Sequence, residues 1–560
     1  MSADRTKIRW NGWGAAGFAN PVAAREDVWT WLAGELGMPS LLATPARPLE
    51  EVELPASTLA PQLRARLVAM LGEDRVRDDK YERAFHALGR SYHDLLRLRA
   101  GDLKTSPDVV LYPRGTEEVQ AVLDFANEAE IAIVPYGGGT SVVGGVTGAR
   151  GPFAAAAALD LSGMEQVTNI DAVSLTATAE AGIYGPALEK KLQAAGLTLG
   201  HYPQSFEFST LGGWIAHRGA GQQSGRYGRP QDWLVSAKLA TPRGLLTTEP
   251  CPASAAGPRL TDLVIGSEGA FGVVTEATVR VRRAPEAKSY RTWLFRDFAS
   301  GTAAIGQAVQ DGVPAAMLRL SDAEETRFYR GFGEVGRRHG VGSRLAAAYL
   351  AARKIGDAAS LLIAGFEGST HEVAEGARHF GRIAGKLGAV GAGAGPGRRW
   401  YEGRFHGPYL RDPMMDRGVG VDTLETAASW SKIGDLYAAV HSALERALSV
   451  TAPRPGARGV VMCHISHSYQ DGASLYFTYI FPRALDSEIA QWRTIKAAAS
   501  DAIAAHGGTI SHHHGVGEDH LPWIAQEKGE LGIAVLRAIK TALDPKGILN
   551  PGKLIPPARP

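Results

Sequence analysis

The sequence has almost no cysteine. Among 560 residues only Cys251 and Cys463 occur, which excludes a disulfide framework and a cysteine-rich metal site and suits a reducing compartment. It also lacks an excess of either charge: 60 Lys and Arg stand against 58 Asp and Glu, a formal net charge of +2. Nothing in that balance calls for a nucleic-acid partner. No apolar run reaches the roughly 18 residues of a membrane-spanning helix. The opening MSADRTKIRWNGWG lacks the basic-then-apolar order of a secretion signal, and the closing PPARP is not a peroxisomal tripeptide. The expectation is a cytoplasmic protein. Apolar content of 45% and charged content of 21% are ordinary for a globular chain, and no internal repeat is visible.

What the chain has in plenty is glycine, 67 residues, much of it in a few clusters. Residues 1–100 read as a helical region, as in PQLRARLVAMLG and SYHDLLRLRAG. From 107 the pattern becomes strand (PDVVLYP), helix (TEEVQAVLDFANEAE, with Thr116 able to cap it), buried strand (IAIVPY) and glycine loop (GGGTSVVGG), an α/β unit. WLVSAKLATPRGLL reads as a hairpin turning at Pro242 and Gly244. Near 286 the glycine-loop character fades, which places a boundary there. Beyond it, amphipathic helices mix with strands such as GASLYFTYIF (472–481). LGAVGAGAGPGRRW (387–400) reads as a flexible loop, and 526–543 as a helix before LDPKGILNPGKL.

Two features carry chemistry. The loop PYGGGTSVVGG (135–145) can present backbone N–H groups to an anion, because only small residues allow the close approach. A glycine run alone is often an ordinary turn. Here a second cluster at 212–221 and a third at 266–272 join it, and the spacing is not GxGxxG, so no Rossmann site is implied. The second feature is SHHHGVG (511–517). Neighbouring side chains on extended backbone face opposite ways, so one metal rarely takes all three histidines. Structural, proton-handling and metal-binding roles all stay open from the residues alone.

Together, PYGGGTSVVGG, STLGGWIAHRGAG, GSEGAFGVVTE and DPKGILNPGKL resemble the FAD-binding domain of the p-cresol methylhydroxylase / vanillyl-alcohol oxidase (PCMH/VAO) superfamily. KIRWNGWG, GHYPQSFEFSTLGGW, YLRDP, GASLYF and GGTISHHHGVG further resemble its alkylglycerone-phosphate synthase (alkyldihydroxyacetonephosphate synthase) branch over nearly the whole chain.

That resemblance implies an α+β fold: a helical N-terminal region (1–100), a PCMH-type FAD-binding domain of two α/β subdomains (101–285), a substrate-binding cap with an antiparallel sheet (286–505), and a C-terminal segment (506–560) that returns the histidine motif to the FAD domain. It assigns the cofactor to Pro135, Gly137, Gly138, Gly139, Thr140, Ser141, Thr210, Gly213, Ser267, Glu268, Gly272 and Val274. The flavin is expected to be non-covalent, since 135–145 contains no Cys or His.

In FAD-dependent 2-hydroxy acid dehydrogenases of the superfamily the comparable motifs read EHGIG and DGNLH and bind a metal. Here His513 replaces the Glu and Tyr476 the second His, in DGASLY. A phenol with a pKa of about 10 is a poor metal ligand near neutral pH, so no resident metal is expected. The resemblance instead gives Tyr476, His512, His513 and His514 to proton transfer, His201 to the site wall, Arg411 to the substrate and Arg319 to a position near the flavin. His464 and His467, in CHISHSY, add imidazoles close by and keep some metal-binding capacity with His513 in view. The motif GHEPDS reads GHYPQS, with Gln204 in place of an acid, which bears on substrate and activity.

The implied reaction exchanges the acyl chain of acyl-dihydroxyacetone phosphate for a fatty alcohol through a flavin N5 adduct, with no net redox change. It implies an apolar tunnel in 286–500 with a membrane-facing mouth, a peripheral membrane contact for which the N-terminal helices are candidates, and a homodimer. Two rival expectations remain: a D-lactate- or glycolate-type dehydrogenase, and a flavin-binding homologue without turnover.

Overall fold

A computed structural model describes residues 8–18, 20–336 and 349–557. Lys7 of KIRWNGWG and the closing residues 558–560 lie outside them. Three sheets organise the chain. The first is mixed, with Val109–Leu111 and Ile131–Tyr136 lying parallel on either side of Ala155–Asp160, and Val76–Arg77 antiparallel at the edge. The parallel strands are buried almost throughout, as expected where both faces are covered. The second sheet is antiparallel, with strands Val167–Asp171, Thr176–Glu180, Val273–Arg280, Leu234–Thr241 and Gly244–Thr247 in that spatial order. Its last two strands are the expected hairpin, closing at Thr241 opposite Gly244. One core of buried Val, Ile, Leu and Ala side chains unites both sheets with the helix Thr116–Ala129.

The third sheet has seven strands, all antiparallel. Its order is Val390–Gly393, Ala287–Phe295, Ser360–Gly368, Met317–Ser321, Val460–Ser468, Gly472–Pro482 and Val419–Ser429. Helices Phe298–Gln310, Thr370–Lys386, Ile433–Val450 and Glu488–Ala505 bury apolar faces in its core. The opposite face carries the site. The chain then returns to the first sheet: Ile548 accepts from the Ile133 N–H at 2.8 Å, and the Asn550 N–H donates to Ile133 at 2.8 Å.

Three expectations change. Residues 387–400 are not a loop. Val390–Gly393 pairs with Ala287–Phe295, and Gly395–Gly403 is helical. An edge strand pairs through its backbone, so side-chain-poor sequence conceals it. Thr116 does not cap its helix. Gly115 is the N-cap, and the Thr116 hydroxyl lies 3.0 Å from that of Thr275, joining helix to sheet. The N-terminal helices turn their apolar sides inward: Glu26–Glu35 buries Val28, Trp29 and Leu32, and Pro61–Leu71 buries Leu67 and Leu71. Neither presents that face to a bilayer. Among the described residues no helix is long and apolar enough to cross a membrane.

Candidate active site

Two structures meet at the seam between the first two sheets and the third. The first is a cradle of close backbone. A side chain at Gly138 would stand 1.7 Å from the Phe208 carbonyl oxygen, and one at Gly137 would stand 2.4 Å from Thr210 Oγ1. Gly139 has φ +68°, a region open to glycine at little cost. Thr210 caps the short helix Leu211–Ala216, accepting from the Gly213 N–H at 3.3 Å. The third glycine cluster closes on the first, since a Cβ at Gly269 would press Pro135 at 2.9 Å. Asn550 Nδ2 stitches both, donating to Gly145 O at 3.0 Å and Glu268 O at 2.6 Å. Ser141 Oγ accepts from the Gly145 N–H at 2.9 Å.

Of the residues expected to hold the cofactor, Pro135, Gly137, Gly138, Gly139, Thr140, Ser141, Thr210, Gly213, Ser267 and Glu268 fall in these converging loops. Gly272 and Val274 lie just beyond them: a Cβ at Gly272 would strike Leu239 at 2.5 Å, and Val274 borders the core. The cradle fits FAD. Its glycines let the loops close on one another, and Ser267 Oγ, Asn550 Oδ1 and His217 Nδ1 are buried without a protein partner, polar groups that a ligand can meet.

The second structure is the inner face of the seven-stranded sheet. Side chains at paired positions of an antiparallel ladder share a face. Glu425 pairs with Tyr476, Tyr476 with His464, and His464 with Ser321. The Tyr476 ring stacks on His464 at 4.9 Å, and its other neighbours are His513 at 5.9 Å and His514 at 5.5 Å. Burial pushes the Tyr476 phenol up, with the Thr423 hydrogen bond and the Arg411 charge opposing, so the group stays protonated at neutral pH. Arg319 reaches the same row, donating to Glu325 at 2.9 Å and lying 3.1 Å from His464 Nδ1. Arg411 donates to Arg90 O at 3.0 Å and faces Asp422 at 3.6 Å.

The loop SHHHGVG lies between the two. Glu425, fully buried, accepts from the backbone N–H groups of His512 (2.5 Å), His513 (3.0 Å) and His514 (2.8 Å), and from Ser511 Oγ (2.9 Å). Burial alone would raise this carboxyl. The three backbone N–H groups and the Ser511 hydroxyl aimed at it oppose that and hold Glu425 ionised. Glu268 grips the other half, accepting from the Val516 N–H at 2.5 Å and the Gly517 N–H at 2.7 Å. Its carboxylate is thereby committed to the loop. Arg229 donates to His512 O at 2.6 Å and to Tyr469 Oη at 3.1 Å.

The three imidazoles all sit below their ordinary pKa, chiefly through burial, so they are neutral at pH 7 and able to accept protons. His512 Nδ1 and His513 Nδ1 are 3.0 Å apart, and Tyr469 Oη is 2.6 Å from His512 Nε2. His201 is sandwiched between Trp214 (4.7 Å) and Trp233 (5.4 Å), and both its ring nitrogens are buried without a protein partner. Burial, helped by the Arg229 charge, lowers its pKa to about 3.

Sequence reasoning missed Glu425, Arg229 and Tyr469. Glu425 occurs in DTLETAAS, whose alternation reads as plain strand, and its partners lie 86–89 residues away. Gln204 points away from His201: it is exposed and donates to Arg404 O at 2.6 Å. The missing acid is thus outside the imidazole's surroundings.

Residues 107–249 match the FAD binding domain family, and residues 284–554 match the C-terminal domain of FAD linked oxidases. The alkyldihydroxyacetonephosphate synthase of Dictyostelium discoideum is 35% identical, with 94% of this chain and 86% of that protein covered. That of Trypanosoma brucei brucei is 32% identical, with 98% and 92% covered. A solved alkyldihydroxyacetonephosphate synthase structure superposes with a TM-score of 0.82 at 31% identity, over 98% of this chain and 99% of that one. Over nearly its whole length, in sequence and in fold, the chain belongs to the alkyldihydroxyacetonephosphate synthase family of FAD-dependent enzymes.

Proposed function

We propose that the enzyme exchanges the acyl chain of acyl-dihydroxyacetone phosphate for a fatty alcohol, forming an ether lipid precursor. The observation that carries the reading is the row of Tyr476 and His464 facing His513 and His514, a neutral phenol beside neutral imidazoles. Such a set can take a proton and give one back.

The chemistry needs both. A proton leaves C1 of the substrate, the C1–O bond to the carboxylate breaks, a new C1–O bond forms to the alcohol, whose proton must be accepted, and a proton returns to C1. Imidazoles of His513 and His514 take up protons, and Tyr476 passes one between them. Glu425 holds the three histidines in register through their backbone and keeps a negative charge beneath them, which steadies a transient imidazolium. FAD, held by the loops of Gly137, Gly138, Gly139, Thr210 and Ser267, would supply the nucleophilic centre that the exchange needs. His201, neutral and walled by tryptophans, shapes the pocket.

Arg411 is the substrate phosphate's partner in this reading. Its guanidinium has five N–H donors, and those not spent on Arg90 O and Val421 O can meet an anion. Arg319 helps fix His464. A cytoplasmic enzyme with peripheral membrane contact, working as a homodimer, completes the reading.

Incubation of the flavoprotein with palmitoyl-dihydroxyacetone phosphate and labelled hexadecanol tests it. Label is expected in an ether lipid without any external electron acceptor. Flavin bleaching by a 2-hydroxy acid, with no ether formed, would instead establish a dehydrogenase.

A further inference from the structure

Two histidines of the loop also stand close to a third imidazole that the scheme above does not use. A ring nitrogen from each of His467, His512 and His513 lies within 4.8 Å of the other two. His512 Nδ1 and His513 Nδ1 are 3.0 Å apart, which two lone pairs tolerate only with a proton or cation between them. At a Zn–N distance of about 2.0–2.1 Å, nitrogens on one tetrahedral ion stand roughly 3.3 Å apart. The cluster is therefore near ligating geometry.

The outer nitrogens are also fixed. His467 Nδ1 is 2.8 Å from Ser224 Oγ, and His512 Nε2 is 2.6 Å from Tyr469 Oη. Ligating imidazoles are generally oriented by such second partners. An approach exists as well. A cavity of about 240 Å³, lined among others by Gly225, Met317, Ser466, Ser468 and Gln470, has His467 in its wall.

From these juxtapositions we infer that His467, His512 and His513 form a binding site for a borderline transition cation, Zn²⁺ above all. Imidazole nitrogens suit Zn²⁺, Cu²⁺ or Ni²⁺, whereas Mg²⁺ and Ca²⁺ need oxygen ligands that this trio does not offer. The ion is not part of the exchange reaction. It takes the lone pairs of His512 and His513, so it inhibits turnover. The inhibition, though not the binding, rests on the proton role proposed above.

The test uses resting holoenzyme without substrate. After dialysis against dilute ZnCl₂, the wild type retains one Zn²⁺ per chain by elemental analysis, and His467→Gln retains none under the same conditions. Ser224→Ala, which leaves all three ligands in place, weakens binding roughly 10–100-fold and stands in if His467→Gln fails to fold. The flavin spectrum reports folding of each variant. Absence of retained Zn²⁺ in the wild type, or equal retention by both variants, overturns the site. Turnover is measured separately, in chelator and then with added Zn²⁺. Ether formed in chelator and lost with Zn²⁺ supports the inhibition. A fully loaded site with turnover unchanged overturns the inhibition and counts against proton transfer by His513. No ether even in chelator tells against the exchange reaction alone and leaves the metal result standing.

Discussion

Gly138 and Glu425 mark two neighbouring regions built by opposite means. Around Gly138 the protein withholds side chains so that two backbone segments can pack directly on one another, and one methyl group would collide with Phe208 O. Around Glu425 it concentrates them: one buried carboxylate gathers three successive N–H groups and a hydroxyl, and sets three imidazoles against a tyrosine. The cradle depends on local conformation. The histidine loop depends on partners brought from distant strands. Damage to the first should empty the cofactor site, and damage to the second should leave the flavin bound and the chemistry slow.

The largest expected effect is on the cradle side. Gly138→Ala places its Cβ 1.7 Å from a backbone oxygen that cannot rotate away, so the loop must move. Overpacking of this kind costs about 1–3 kcal/mol or more, and in the proposed reading the loop seats the cofactor. Purified Gly138→Ala should be colourless, with flavin absorbance per chain lost and activity with it. A yellow, active variant would show that this loop does not seat the cofactor.

Next comes the phenol. Tyr476→Phe keeps the stacking on His464 and removes only the hydroxyl. General acid–base groups contribute about 10²–10⁴-fold, and turnover should fall within that range with flavin content unchanged. The pair of variants separates cofactor loss from chemical loss. If Tyr476→Phe were also colourless, the two regions would not be independent.

Glu425→Gln sharpens the contrast further. The amide keeps the shape but loses the charge, and places an NH₂ where only acceptors fit. Hydrogen bonds to a charged group contribute about 1.5–3 kcal/mol, so the urea midpoint should drop by a corresponding amount. Turnover should fall while KM for the phosphorylated substrate, which Glu425 does not touch, stays nearly constant. A rise in KM with unchanged kcat would place Glu425 in substrate binding instead.

The same contrast explains what could be read from the residues alone. The glycine loops were legible because close approach of backbone is a local demand, written in three short clusters. The histidines and Tyr476 were legible through motif resemblance. Glu425 was not: a Glu alternating with Leu and Thr in a strand announces nothing until that strand is paired with the one carrying Tyr476. Residues 387–400 misled for the related reason that strand pairing there uses backbone, which glycine and alanine supply without a signature. The motif position of Gln204 says nothing of where its side chain points, and here that is toward Arg404.

The smallest effect is a pH dependence shared by both regions. His201 on the cradle side and His520 beyond the histidine loop are fully buried, and burial lowers each to a pKa of about 3. In the unfolded chain each titrates near 6.5. Below that value the unfolded state binds protons that the native state refuses, so stability falls as pH falls, and the loss continues down to the native pKa. Between pH 6.5 and 5.5 each histidine should subtract about 1 kcal/mol. Urea unfolding at the two pH values, on wild type and on His201→Gln, measures the share of one residue. The variant's pH slope should be shallower by one proton. An unchanged slope would mean that His201 takes up its proton in the native state, and that the tryptophan box admits a charge this geometry excludes.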